Sequence, residues 1–127
     1  MRVEVAPGWR TELDRGPDWL FVKLFGPDGD DADATGLAEM LHLLMQEELA
    51  HRLVLELDGV DEFPLELADE LVTLHGLVEE TGGMVRLCGV APEHRAVLRT
   101  RDDACSLAPY RDRTDAVMGA MRPNKPR

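Results

Sequence analysis

The chain has 127 residues, 44% of them hydrophobic and 31% charged. At about 150 residues per domain this is one domain, large enough to bury roughly two-thirds of its unfolded surface without metal or disulfide staples. The 14 Lys and Arg against 25 Asp and Glu leave a net charge of −11, which repels phosphate backbones and excludes an ordinary nucleic-acid binder.

Val3 and Val5 alternate with Arg2 and Glu4, the pattern of a half-buried edge strand, and a strand over residues 9–13 is the alternative for the same place. The turn cluster Asp14-Arg15-Gly16-Pro17 leads into a dense apolar run at 19–25, broken only by Lys23. That run reads as a central strand antiparallel to the first, ended by Gly26-Pro27-Asp28-Gly29-Asp30-Asp31. Leu37, Leu41, Leu44 and Met45 then recur at helical spacing, with Asp33 and Thr35 as candidate caps. Residues 52–57 are short and rich in leucine and valine, which after a helix marks a strand buried on both faces in a parallel crossover.

Residues 59–63 make the next loop, and Pro64 sits where a first helical turn tolerates it. Leu67, Leu71, Leu74 and Val78 carry the clearest helical period in the chain, stopped by Thr81-Gly82-Gly83. A strand at 84–88, a helix at 92–101, a short strand at 107–110 and a closing helix at 114–121 complete the domain. Residues 1–121 form that single domain, and 122–127, with two prolines and three basic residues, form a flexible basic tail. The order β-β-α-β-α-β-α-β-α implies an α/β fold: one layer of mixed, mainly parallel β-sheet with about four helices.

Chemical signatures are thin. Counted as a twelve-residue calcium loop, Asp28 and Asp30 fit positions one and three and Glu39 fits position twelve. Ala32 and Asp33 then occupy positions five and six, where a ligand and a turn-making glycine belong, so no metal is expected. His42, His51, His75 and His94 form no metal-binding pair. Ser106, the only serine, lies in no G-x-S-x-G elbow, and the glycines build no phosphate loop, so neither catalysis nor a cofactor is expected. Glu66, Asp69, Glu70, Glu79 and Glu80 stand opposite the leucine stripe of the second helix and read as a solvated face. Cys88 and Cys105 match no redox spacing, and no run reaches the ~18 apolar residues of a membrane span, which together suit a cytoplasmic protein with reduced thiols.

Residues 53–74 read L-V-L-E-L-D-G-V-D-E-F-P-L-E-L-A-D-E-L-V-T-L. This stretch resembles the STAS domain, the fold of bacterial anti-sigma factor antagonists, which carries a hydrophobic strand, a G-V-x-F-I-D-S-S-G-L-G loop and helix start, and an L-L-x-L helix. Gly59, Val60 and Asp61 match the loop, Phe63 its apolar position, and Leu71, Val72 and Leu74 the helix. Residues 82–93 resemble the family's G-G-x-L-x-L-x-G-V-S-P-E passage, and residues 21–26 fit its second strand, so the resemblance covers residues 18–120. It implies a non-enzymatic signalling module in transcription regulation, whose protein partner is an anti-sigma factor or kinase-like regulator.

One departure changes what the resemblance implies. Where the family has Asp-Ser-Ser-Gly, this chain has Pro64-Leu65-Glu66-Leu67. The serine phosphorylated in switching antagonists maps onto Leu65, a degenerate phosphosite with no hydroxyl to take the roughly −1.5 to −2 charges of a phosphate. Leu65 could imitate the unmodified state and add apolar contact, Glu66 could imitate the modified one, or Leu65 could fold back onto the core. The expected partner-binding surface is Asp61, Glu62, Pro64, Leu65, Glu66 and Asp69, flanked by Asp28, Asp30 and Asp31. The alternative is a small enzyme or ligand-binding domain using Asp58, Asp61 and Cys88 at the carboxyl ends of the strands. A third reading, a self-assembling domain, requires a large apolar patch on an outer helix face.

Overall fold

The computed structural model describes residues 2–101, 107 and 109–119; Cys105, Ser106 and the basic tail at 122–127 lie outside the described residues. Five strands, β1 (Arg2–Ala6), β2 (Trp9–Arg15), β3 (Leu20–Gly26), β4 (Arg52–Val60) and β5 (Met84–Cys88), form one sheet in the order β1-β2-β3-β4-β5. β2 runs antiparallel to both β1 and β3, whereas β3/β4 and β4/β5 are parallel, giving a mixed sheet. The two N-terminal segments weighed as alternatives both form strands. Thr11 explains why they belong together: it is fully buried, and its hydroxyl donates to the Val3 carbonyl at 2.9 Å.

Helices α1 (Leu37–Glu47), α2 (Leu65–Glu80), α3 (Pro92–Arg101) and α4 (Arg113–Met118) complete the described elements. Successive right-handed crossovers that advance in one direction across a sheet leave their helices on the same face. α1, α2 and α3 accordingly cover one face, where Leu20, Val22, Leu24, Leu53, Leu55 and Leu57 meet Leu37, Leu41, Leu67, Leu71, Leu74 and Leu98. Burying one such side chain is worth roughly 1.5–3 kcal/mol. Among the described residues no helix is long and apolar enough to cross a membrane.

The second face is built differently. α4 covers Trp19, Val54 and Cys88 with Ala116 in a small separate cluster. Arginines lie over its aromatic rings: Arg113 over Phe21 at 4.2 Å, Arg86 over Trp19 at 5.3 Å and over Tyr110 at 5.7 Å.

Four boundaries differ from the sequence expectations. β4 continues through Gly59 and Val60, paired with Phe25 and Gly26, because Gly59 lacks the Cβ that would strike the Phe25 ring and the Leu24 carbonyl. Neither Asp33 nor Thr35 caps α1. The cap is Gly36 at φ 87, and the Ala38 amide instead donates to Glu70 Oε1 from α2 at 2.9 Å. Glu70 is therefore only partly exposed and does not belong to a solvated face. Of the strand expected at 107–110, residue 108 lies outside the described residues, and Tyr110 makes a parallel bridge with Cys88, its amide donating to Leu87 O at 2.8 Å and its carbonyl accepting from Gly89 N at 3.3 Å. The last helix ends at Met118, and residue 121, its expected end, lies outside the described residues.

Candidate functional site

The parallel strands β3, β4 and β5 end at one edge of the sheet, and the antiparallel β2 brings the Pro7-Gly8 turn to the same edge. Backbone bonds tie the loops there to one another. Asp28 N donates to Gly8 O at 2.9 Å, Asp33 N to Pro7 O at 2.8 Å, and Asp61 N to Gly26 O at 2.8 Å. The last of these sets the loop after β4 beside the acidic loop after β3.

Phe63 anchors that second loop. It is buried in the core and stacks on His94 of α3, with ring centroids 5.4 Å apart. Pro64, in extended conformation, is the N-cap of α2, and its carbonyl accepts from Leu67 N at 3.0 Å. With Phe63, Leu67 and Ala68 all turned inward, the residues between them face outward. Leu65 is 47% exposed and does not fold back onto the core. Asp61, Glu62, Glu66 and Asp69 are exposed around it, and Pro64 is half-buried.

The carboxylates are not equally free. Asp69 pairs with Arg101 of α3 at 3.2 Å, and Asp28 pairs with Arg10 of β2 at 2.7 Å. Asp30 and Asp31 are exposed in the flanking loop. Asp33, also in that loop, has its carboxyl held below the usual range, mainly because it accepts the Thr35 amide at 3.0 Å. Among the described residues no group of three or more His, Cys, Asp or Glu could hold a metal ion. Chemically this end of the sheet presents an exposed apolar side chain, Leu65, with the exposed carboxylates Asp61, Glu62 and Glu66 close to it in the chain and Asp69 and Asp28 paired with arginines.

The alternative constellation is only partly assembled. Asp58 and Cys88 lie on the second face of the sheet, whereas Asp61 lies beyond the end of β4. Asp58 is paired with Lys23 at 3.4 Å. Cys88 is buried beneath α4, and burial, reinforced by Glu56, Asp58 and Asp112, pushes its thiol up to about 12. A nucleophile needs the thiolate, so that environment disfavours attack near neutral pH. Two hollows of about 300 and 280 Å³ open at the opposite end of the sheet, beside Trp19 and beside Thr81.

No family model and no curated protein matches this chain. Solved structures do. A serine-to-glutamate variant of RsbS from Moorella thermoacetica superposes with a TM-score of 0.70 at 15% identity, over 86% of this chain and 92% of that one. An anti-sigma factor antagonist from Mycobacterium paratuberculosis gives 0.65 at 17% identity, over 92% and 97%. The chain has the STAS fold of anti-sigma factor antagonists. A STAS-like chain from the stressosome, described as a signal integration and transduction hub, gives 0.59 at 16% identity, over 85% and 94%. At such identities the likeness is one of fold, and it agrees with the motifs quoted from residues 53–74 and 82–93.

The residues missed by the sequence reading are polar ones with distant partners. Glu70, Arg101 and Lys23 carry no local signal of their roles, because each partner comes from another element.

Proposed function

We propose that this STAS domain is a non-catalytic protein-docking module of bacterial regulation, related in action to anti-sigma factor antagonists but without their serine switch. The observation that carries the reading is the half-exposed Leu65 at the start of α2, with Asp61, Glu62, Glu66 and Asp69 exposed on the same short stretch of chain. In this scheme Leu65 is the apolar anchor of a constitutive contact with an anti-sigma factor or kinase-like regulator. The carboxylates, with Asp28, Asp30 and Asp31 on the flank, attract a basic patch on that partner and raise the association rate more than the affinity. Because Leu65 has no hydroxyl, the module responds to partner concentration and ionic strength rather than to phosphorylation at this position. Regulatory neighbours of the same fold, the stressosome chain among them, support a signalling role.

The test is calorimetric titration with purified anti-sigma kinases of the same organism, using the wild type, Leu65→Asp and Glu66→Lys. Both variants are expected to bind at least about tenfold more weakly, with unchanged thermal midpoints. Incubation with the kinase and ATP is expected to leave the intact mass unchanged. Undiminished binding by both variants, or a mass gain of one phosphate, refutes the proposal.

A further inference from the structure

The helices end in two different ways. α3 has Arg99 and Arg101 in its last turn, and the last carbonyls of α4, those of Ala116 and Val117, accept from the Arg86 guanidinium. Both arrangements set positive charge at the negative end of a helix dipole. α1 and α2 have no basic residue in the last turn. They close on Glu47-Glu48 and Glu79-Glu80, which sets like charge against like. Glu48 is paired with Arg15 at 3.0 Å, and Glu79 with His75 at 3.5 Å when that ring is protonated. Glu47 and Glu80 are exposed and make no ion pair among the described residues.

The two uncompensated helix ends share one pole of the domain. The hollow of about 280 Å³ there is lined by Gln46 and Leu49 from the end of α1 and by Thr81 from the end of α2. Even with Arg15, Arg52 and Arg86 counted, the four glutamates and Asp18 leave this pole acidic, and Leu49, 84% exposed, makes it partly apolar. An occupant that fits is therefore cationic with some apolar surface. The chain carries such a segment close by. It enters α4 from Tyr110, which bridges Cys88, and leaves at Gly119, packed against the Arg86 guanidinium, so α4 points towards the amino ends of the parallel strands. Arg86 stands opposite Val54. Arg52 and Met84, at the amino ends, are two residues away, about 7 Å, whereas Asp61 at the Leu65 edge is seven residues past Val54, about 23 Å. Residues 120–127 follow Gly119 with Met121, Arg122, Lys125 and Arg127 and no carboxylate side chain. Eight residues reach up to about 26–29 Å, and Glu80, six Cα–Cα steps from Arg86, is at most about 23 Å from it. Pro123 and Pro126 lower the chain entropy that ordering the segment costs.

We propose that residues 120–127 fold back onto this pole. Arg122, Lys125 and Arg127 neutralise Glu47, Glu79 and Glu80 and the last carbonyls of α1 and α2, and Met121 lies against the apolar surface around Leu49. The contact is opposite the edge that carries Leu65 and does not depend on the docking function given to that edge. It holds three cations away from the acidic loops, which leaves their carboxylates free for a basic partner.

A nitroxide at residue 124 of the full chain tests it, attached through Asn124→Cys in a Cys105→Ser background; Cys88 is buried and takes no label. In dilute solution the amides of residues 47–52 and 79–82 are expected to lose NMR intensity, while those of 28–31 and 61–66 keep it. About 1 M salt, where the Debye length falls to about 3 Å, is expected to restore the lost intensity. The double substitution Glu47→Lys with Glu80→Lys is expected to do the same, and the salt arm decides alone if that variant does not fold. Loss centred on residues 28–31 or 61–66 would show that the tail covers the docking edge instead. Equal loss in a mixture of spin-labelled chains with isotope-labelled, nitroxide-free ones would show that the tail belongs to a second copy. Either result overturns the proposal, as does the absence of any loss, or a loss that persists in salt or in the folded double variant.

Discussion

Replacing Arg113 by alanine is expected to release α4 from the sheet. The Arg113 guanidinium donates to Glu56 at 2.7 Å and to Asp14 at 2.8 Å, above the ring of Phe21. The two carboxylates differ sharply in setting: the Glu56 side chain is 12% exposed and that of Asp14 is 64% exposed. At about 4 Å between charges and an effective dielectric of about 20, the gross attraction is about 4 kcal/mol, much of it offset by desolvation. Deleting the arginine leaves Glu56 charged under α4 without its cation. That loss runs to about 3–5 kcal/mol for a fully buried pair, and the partial exposure of Arg113 brings it down to about 2–3 kcal/mol. Asp14→Asn removes only an exposed pair, worth about 0.2–1 kcal/mol. α4 is six residues long and holds only the small Trp19–Val54–Cys88–Ala116 cluster, so its detachment precedes global unfolding. Cys88 reports that event: covered, its thiol is pushed up to about 12 from an ordinary 9.0, and uncovered it returns towards the ordinary value. In a Cys105→Ser background, labelling by an aromatic disulfide at pH 8 is expected to speed up about 30-fold or more in Arg113→Ala and less than about fivefold in Asp14→Asn. Equal acceleration in the two variants would refute the burial argument.

Two further outcomes follow from polar contacts. Glu70→Ala removes the carboxylate that caps α1 at the Ala38 amide, at a cost of about 1 kcal/mol in urea unfolding, and Glu70→Gln recovers most of it because an acceptor oxygen remains; equal losses in both variants would contradict this. For Asp33, whose folded carboxyl is depressed by the Thr35 amide, the stabilising contribution is complete above the ordinary value of 3.8 and is lost as pH falls through the lower folded value. A carboxyl titration followed by NMR is expected to place the Asp33 midpoint below 3.8, and a midpoint at or above it would show that the turn does not persist in solution.

Hydrophobic spacing alone made the run at β3 and the Leu67–Leu71–Leu74–Val78 stripe of α2 legible, because period is set by local geometry and each stripe needs an apolar partner of some kind. The exposure of Leu65 was legible in part, since Pro64 and Leu65 break the polarity expected of a loop tip, and the structure leaves Leu65 47% exposed. Tertiary structure decided the rest. Whether the Val3–Val5 segment or residues 9–13 joined the sheet was open in the sequence; both do, and the buried Thr11 hydroxyl donates to the Val3 carbonyl. Asp69 and Glu70 are neighbours in sequence and look alike there, yet one reaches Arg101 on α3 and the other crosses to the amide of Ala38. Leu49 is the sharpest case. Its spacing from Leu41 and Met45 continues their buried stripe, but α1 ends at Glu47, and the left-handed turn at Leu49 swings its side chain into solvent. Spacing tells which side of an element is apolar; it carries no information on where an element stops in space or what approaches from elsewhere in the chain, and those two facts set the partners of Asp69 and Glu70 and the exposure of Leu49.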